Sequence, residues 1–176
     1  MSIPTQHHTN TFEIENSRWR IDPARSSVEF RVPYLYRLQR VKGRFARYDG
    51  ALDLHKDPAV ELTIEAASVD TGNAQRDKHL RSADFFDVEN HPQVRFVSDR
   101  AVLAGEALQV SGRLHAAGKS IPLEIDATLR RDGDELEVDA TTLVDQRQLG
   151  MTWSPLGIVR TPTKLIVRGR LVDDGA

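Results

Sequence analysis

Three neighbouring side chains have the residue types of a Ser–His–Asp catalytic triad: His79, Ser82 and Asp84. Such triads are recognised by geometry, and on a short helix these spacings put Asp84 off the face that carries the other two. The GxSxG motif, which presents a nucleophilic serine on a sharp turn, does not occur in the chain. We interpret this stretch as a solvated short helix and do not expect an enzyme.

The six histidines are the strongest metal-ligand candidates in a chain that has no cysteine. They are scattered along the sequence, without an HExxH motif and without a pair spaced four residues apart. Closely spaced ligands of that kind are typical of zinc sites on helices. The sequence therefore predicts neither a metal site nor a cofactor.

The elements that would position such residues are mostly strands. Apolar and polar residues alternate along six runs, at 28–32, 62–66, 108–114, 123–129, 136–140 and 165–171, with Ile166 as the one exception. A period of two indicates antiparallel sheet with one dry face and one face in water. The one stretch without this pattern is 73–84, where Leu80 and Ala83 at helical spacing predict one or two turns of helix.

Turn residues join these runs directly. Ala117-Gly118 and Asp132-Gly133 each lie between two alternating runs and predict hairpins. About eight strands with one dry face either pack as a sandwich or close as a barrel, and sequential hairpins without a long crossover favour an up-and-down barrel. Aromatic residues make up only 6% of the chain, so the inward side chains are largely aliphatic and leave room for a cavity.

Composition excludes several functions. A chain of 176 residues forms one well-buried core, and a net charge of −2 with interspersed basic residues argues against nucleic acid. Apolar runs stay well below the roughly 20 residues that span a bilayer, so we expect no stable membrane insertion. Residues 1–17 are a polar tail without the basic and apolar regions of a signal peptide. We expect a cytoplasmic protein with one domain over 18–174.

One stretch, from Ser68 to Ser98, combines a strand end, a polar helical segment, the pair Phe85-Phe86, an Asn-His-Pro turn and a new strand. Shorter fragments agree with it in order: Trp19 with Ile21-Asp22, Val41-x-Gly43-x-Phe45, Val110-x-Gly112-x-Leu114 and Arg147-x-Leu149-Gly150. Together these fragments resemble the pattern of the YceI-like family over about Arg18 to Val172. Arg25 and Tyr34 stand where that family usually carries histidine, so roles tied to those imidazoles are not carried over.

The resemblance implies an all-β, antiparallel, lipocalin-like up-and-down barrel of about eight strands with one or two short helices. It also implies that the barrel binds a long apolar lipid, isoprenoid-like or fatty-acyl, for transport, storage or shielding. The lipid is then the main partner, and a homodimer is a further expectation. Two alternatives stay open: an enzyme that acts on a small apolar substrate with an inward carboxylate or histidine, and a filled, stress-associated interaction module.

The predicted ligand-binding residues are those that the period of two turns inward, together with aromatic residues of the family pattern. They are Phe30, Val32, Phe45, Leu62, Ile64, Phe86, Phe96, Leu114, Leu123, Ile125, Val138, Leu165 and Val167. The residues predicted to face outward are Glu29, Glu61, Glu65, Arg113, Glu124, Asp126, Lys164 and Arg168.

Two arginines are candidate contacts for a lipid headgroup. Because the guanidinium fork matches a phosphate or a carboxylate, Arg76 and Arg147 would suit an anionic head at a barrel mouth. The alternative is a structural ion pair that closes the barrel end, with Asp77, Asp84 or Asp87 as partner. The sequence does not decide between them.

Overall fold

The computed structural model describes residues 17–34, 39–152 and 162–175, and in these ranges the chain is mostly strand. The strands are β1 (Arg18–Ile21), β2 (Ser27–Tyr34), β3 (Gln39–Phe45), β4 (Tyr48–Asp53), β5 (Ala59–Glu65), β6 (Val69–Asp70), β7 (Gln93–Ala104), β8 (Ala107–Ala116), β9 (Lys119–Asp132), β10 (Glu135–Val144) and β11 (Thr163–Asp173). The described residues contain one α-helix, α1, which spans Ala74–Arg81. Residues 1–16 of the predicted tail lie outside the described residues.

The sheet closes on itself. Antiparallel neighbours follow the order β1-β4-β5-β7-β8-β9-β10-β11, and β11 pairs back with β1, where Trp19 lies opposite Asp173. Closure of this ring removes the unpaired strand edges that an open sheet would expose. The predicted antiparallel barrel of eight strands is confirmed.

The remaining strands, β2, β3 and β6, extend three of the eight barrel strands beyond a break. Between β1 and β2, Pro23 begins a 3-10 turn (Pro23–Arg25), and the Asp22 carboxylate accepts a hydrogen bond from the Ala24 N–H at 3.0 Å. On either side of this break β11 pairs first with β2 and then with β1. The two segments therefore act as one interrupted strand. β3 with β4, and β5 with β6, are interrupted in the same way.

The barrel has two ends that differ in their residues. The end that carries α1, the β8–β9 turn at Ala117-Gly118 and the 3-10 turn Gln146–Leu149 is called the polar end. The opposite end, where β1 begins, β4 ends and the β9–β10 turn contains Gly133, is called the apolar end.

Helix α1 begins after Asn73, whose side-chain oxygen accepts a hydrogen bond from the Arg76 N–H at 2.9 Å. Near its end the Arg81 guanidinium donates to the carbonyls of Ala67 and Val69, at 2.8 and 2.9 Å, and fastens the helix to the wall. The helix predicted within 73–84 is confirmed with narrower bounds. Within the described ranges, no helix is long and apolar enough to cross a membrane.

Candidate functional site

The interior of the barrel contains a cavity of about 620 Å3. Every residue that the sequence predicts as ligand-binding lines it: Phe30, Val32, Phe45, Leu62, Ile64, Phe86, Phe96, Leu114, Leu123, Ile125, Val138, Leu165 and Val167. Strand alternation places all of them but Phe86 there, because side chains two residues apart share one face of a strand. Their contact with a lipid stays a prediction.

The outward-facing residues follow the same alternation. The predicted set is exposed or half-buried at Glu29, Glu61, Glu65, Arg113, Glu124, Asp126, Lys164 and Arg168. Glu61 also touches the cavity, but its carboxylate pairs with Arg95 in an ion pair whose side chains are about half exposed. Glu124 and Asp126 are exposed, so the paired inward acids that would indicate catalysis are not formed on β9. Ile166, the exception in the pattern, is buried away from the cavity wall.

At the apolar end, large side chains fill the barrel below the cavity. Trp19 is 3% exposed, and its indole N–H donates to the Ser17 hydroxyl at 2.6 Å. Leu54 and Leu136 belong to the same core cluster, are almost completely buried and do not line the cavity. This plug gives the cavity an apolar floor.

Two phenylalanine rings on the wall lie over glycines of neighbouring strands. Gly43 is the cross-strand partner of Phe30, and a Cβ added there would lie 2.2 Å from the Phe30 Cζ. Gly112 lies opposite Ser98, two residues along β7 from Phe96, and a Cβ added there would lie 2.7 Å from the Phe96 Cζ. Because these glycines have no side chain, the rings can lie close to the strand and leave the interior vacant.

Aromatic contacts continue from Phe30 towards the polar end. The ring centroids of Phe30 and Phe45 are 5.6 Å apart, and Phe86 meets Phe45 edge-on at 5.8 Å. On a strand only one ring of Phe85-Phe86 could face inward, but both line the cavity. Both can do so because this pair lies in a turn after α1, where the Phe86 N–H donates to the Leu80 carbonyl.

Apart from Glu61, the polar side chains on the cavity wall gather at the polar end. They are Arg76, His79, Thr141, Thr142, Gln146, Thr152 and Thr163. The Thr142 hydroxyl donates to the Glu124 carbonyl at 2.6 Å, and the Thr163 hydroxyl donates to the Gln146 side-chain oxygen at 3.1 Å. An apolar cavity with a few polar groups at one end is typical of a binding site for an amphipathic small molecule.

Arg76 lines the cavity from the first turn of α1. Its Nε donates to the Thr71 hydroxyl at 2.8 Å, and its Nη2 donates to the Thr71 carbonyl at 3.0 Å. The three acids that the sequence offered as ion-pair partners lie elsewhere: Asp77 accepts from Thr71, Asp84 contacts His79 and Asp87 contacts Asn90.

Arg147 does not line the cavity. Its guanidinium binds both carboxylate oxygens of Asp145 at 2.8 Å, and half of its side chain is exposed. The hydrogen bonds from Arg147 hold the pKa of Asp145 below its ordinary value. The ion-pair interpretation therefore describes Arg147, although its partner is a neighbour in sequence and not one of the three acids we expected.

The candidate triad does not assemble. The Ser82 hydroxyl donates to the backbone carbonyl of His79 at 2.7 Å and so caps the helix end. The His79 Nε2 lies 3.1 Å from the Asp84 carboxylate, and its ring packs edge-on against Phe85. A nucleophilic serine needs its hydroxyl hydrogen-bonded to the imidazole, but here the hydroxyl binds a backbone carbonyl. These contacts stabilise the turn after α1.

No three His, Asp or Glu side chains converge as a potential metal site in the part of the chain that the structure describes. Sequence reasoning overlooked Thr71, whose hydroxyl accepts a hydrogen bond from Arg76 and donates one to Asp77. Nothing in the sequence near Thr71 signals this role, because the contact joins the end of a strand to the middle of a helix.

Comparison with known families agrees with this geometry. The sequence model of the YceI-like domain matches residues 19–171. A UPF0312 protein of Pectobacterium carotovorum is 40% identical over 112 residues, and the protein YceI of Escherichia coli O157:H7 is 38% identical over 112 residues. Each alignment covers 61% of this chain and 58% of the relative, so the match spans less than two thirds of these relatives' length.

Solved structures share the fold at low sequence identity. The crystal structure of BcnA from Burkholderia cenocepacia superposes with a TM-score of 0.77 at 20% identity, covering 86% of this chain and 99% of that one. A polyisoprenoid binding domain from Saccharophagus degradans superposes with a TM-score of 0.68 at 15% identity, covering 89% and 98%. At such identities the likeness concerns the fold alone.

Proposed function

This chain belongs to the YceI-like domain family. On that premise we propose that it binds one elongated apolar lipid inside its barrel and shields that lipid from water. The observation that carries the proposal is the cavity itself: an aliphatic and aromatic wall, an apolar floor and, Glu61 apart, polar side chains only towards the polar end. The lipid tail would point to the apolar end and its head to the polar end.

An isoprenoid chain is the tail that the comparisons favour. The Saccharophagus degradans domain of similar fold is described as binding polyisoprenoids. The wall of this cavity suits such a branched chain, because Val, Leu and Ile side chains contact methyl branches from several directions. A fatty-acyl chain has the same apolar chemistry and is the second candidate.

Cavity size sets the length of chain that can be enclosed. A dry apolar cavity of about 150 Å3 holds one benzene molecule, so about 620 Å3 has room for roughly 24 carbons. Each buried methylene contributes about 0.8 kcal/mol, roughly a fourfold gain in affinity. Affinity should therefore rise with chain length to about four or five isoprene units and then level off, since further carbons would stay in water.

Sequestration of this kind needs no chemical step. The two rival functions each require something else. A filled module needs an interior without a void, and an enzyme needs a reactive side chain that reaches the substrate. The cavity argues against the first. Against the second, the Ser82 hydroxyl is occupied by a backbone carbonyl and the acids of β9 face outward. The two inward candidates, Glu61 and His79, are engaged with Arg95 and Asp84.

A matched pair of tryptophan variants on β9 tests the proposal. Ile125→Trp adds bulk to the cavity wall, whereas Glu124→Trp adds the same bulk on the outer face one residue away. We expect the wild type and Glu124→Trp to yield extractable lipid and to bind a polyprenyl or fatty-acyl probe at micromolar concentration. Ile125→Trp should lose both and stay folded, because overpacking typically costs about 1–3 kcal/mol. A wild type that binds neither probe and carries no lipid would contradict the proposal.

A further inference from the structure

Arg76 is a cation on the wall of a cavity whose other side chains are nearly all uncharged. It lies at the polar end, one helical turn before His79 and Leu80, which also line the cavity. Residues at these spacings share one face of a helix. α1 therefore presents one positively charged group to the interior of the barrel.

The guanidinium of Arg76 is held in position by a chain of hydrogen bonds. The carboxylate of Asp77, only 7% exposed, accepts from the Thr71 N–H at 2.9 Å and from the Thr71 hydroxyl at 2.5 Å. That same hydroxyl accepts from Arg76 Nε. A buried carboxylate thus orients a threonine, and the threonine orients the arginine.

These contacts leave part of the guanidinium available. Within the described residues Arg76 Nη1 has no hydrogen-bond partner, and no carboxylate pairs with this side chain. The arginines of the outer surface differ, since most of them bind a carboxylate, as Arg25 binds Glu135 and Arg147 binds Asp145. A guanidinium has five donor hydrogens, and the neutral oxygens of Thr71 take only part of that capacity.

Anchoring of the helix does not account for this arrangement. Arg81, at the other end of α1, already fastens the helix to the backbone through two carbonyls and lies off the cavity wall. Arg76 also binds backbone, but it differs by standing on the wall with donors to spare. A positioned cation with vacant donors beside an apolar cavity is complementary to an oxyanion attached to an apolar chain.

We propose that Arg76, positioned by Thr71 and Asp77, selects lipids whose head is an oxyanion, a phosphate or a carboxylate, over neutral lipids of the same chain. This inference rests on the proposed function, because it assigns the head of the lipid whose tail the cavity encloses. The oxyanion would accept hydrogen bonds from the vacant donors of Arg76 at the polar end.

A pair of probes with one chain and two heads tests the assignment. Geranylgeranyl phosphate and geranylgeraniol share a chain of about the length that the cavity encloses and differ in charge. Their dissociation constants are measured by displacement of a fluorescent fatty acid. The proteins are the wild type, Arg76→Gln, Arg76→Lys and the two controls Arg147→Gln and Arg81→Gln, each checked for folding by circular dichroism.

In Arg76→Gln we expect the affinity for the phosphate to fall by about tenfold or more, as for a lost hydrogen bond to a charged group. Its affinity for the alcohol should change less than about twofold, because the tail contacts stay. Arg76→Lys should fall between, since it keeps the charge and loses the fork. Arg147→Gln should match the wild type for both lipids, and Arg81→Gln should keep the wild-type ratio of the two affinities.

The other outcomes separate the two levels of the proposal. Equal losses for both lipids in Arg76→Gln, or no loss, would overturn the headgroup assignment and leave lipid binding intact. A wild type that binds neither lipid would overturn the proposed function itself. Inorganic phosphate supplies the last arm: if it displaced the phosphate lipid at the lipid's own concentration, the site would be a free-anion site and the inference would be wrong.

Discussion

The two ends of the barrel use the same strands for different purposes. At the apolar end Trp19, Leu54 and Leu136 fill the interior and make no contact with the cavity. At the polar end α1 contributes to the cavity wall, and polar side chains reach the cavity. Stability is concentrated where the interior is filled, and binding where it is not.

The largest effect should come from opening the plug. Leu136→Ala removes a side chain that is 0% exposed, and such core truncations cost about 2–5 kcal/mol of unfolding free energy. Leu165→Ala makes the same change in a half-buried residue that already borders the cavity, so we expect less than about 1.5 kcal/mol. Urea unfolding of both variants measures the difference, and equal losses would contradict the contrast between plug and wall.

Two glycine variants sharpen the account of the wall. A Cβ at Gly112 would lie 2.3 Å from the Val97 carbonyl oxygen, so Gly112→Ala must move backbone and should destabilise the barrel by about 1–3 kcal/mol. At Gly43 the nearest atoms belong to the Phe30 ring, which can turn into the cavity. Gly43→Ala should therefore cost less stability and lower lipid affinity. Calorimetry with lipid titration checks both, and unchanged lipid affinity in Gly43→Ala would contradict the account.

The smallest effect concerns the ion pairs on the outer surface at the apolar end. Hydrogen bonds from Arg25 hold the pKa values of Glu135 and Asp22 below their ordinary range. A folded pKa below the unfolded one adds stability above about pH 4, and this stability is lost as pH falls through the folded value. Arg25→Gln should therefore lower stability slightly at pH 7 and lose less of it on acidification, as urea midpoints across pH would show. A steeper acid loss than in the wild type would contradict this.

The sequence predicted the parts of the fold that depend on alternation. Val138 and Leu165 could be assigned to the interior, and Glu124 to the surface, because each belongs to a run with a period of two. The breaks between strands could not be predicted in this way. Pro23 marks one of them, but where a strand changes its partner depends on closure of the whole ring.

The candidate site shows the same division. Arg76 and Arg147 looked equivalent in the sequence, yet one lines the cavity and the other pairs with Asp145. The i,i+2 spacing of Asp145 and Arg147 allowed that pair but did not require it. The contact between Thr71 and Asp77 depends on how α1 docks, which local sequence does not encode.

The central claim is that the lipid lies with its tail towards the apolar end. Trp19 is a fluorescent reporter of that end, once Trp153, which lies outside the described residues, is replaced by phenylalanine. A fatty acid with a nitroxide quencher at the end of its chain should quench Trp19 strongly, and one with the nitroxide beside the carboxylate should quench it weakly. The reverse order, or equal quenching by both, would contradict the account.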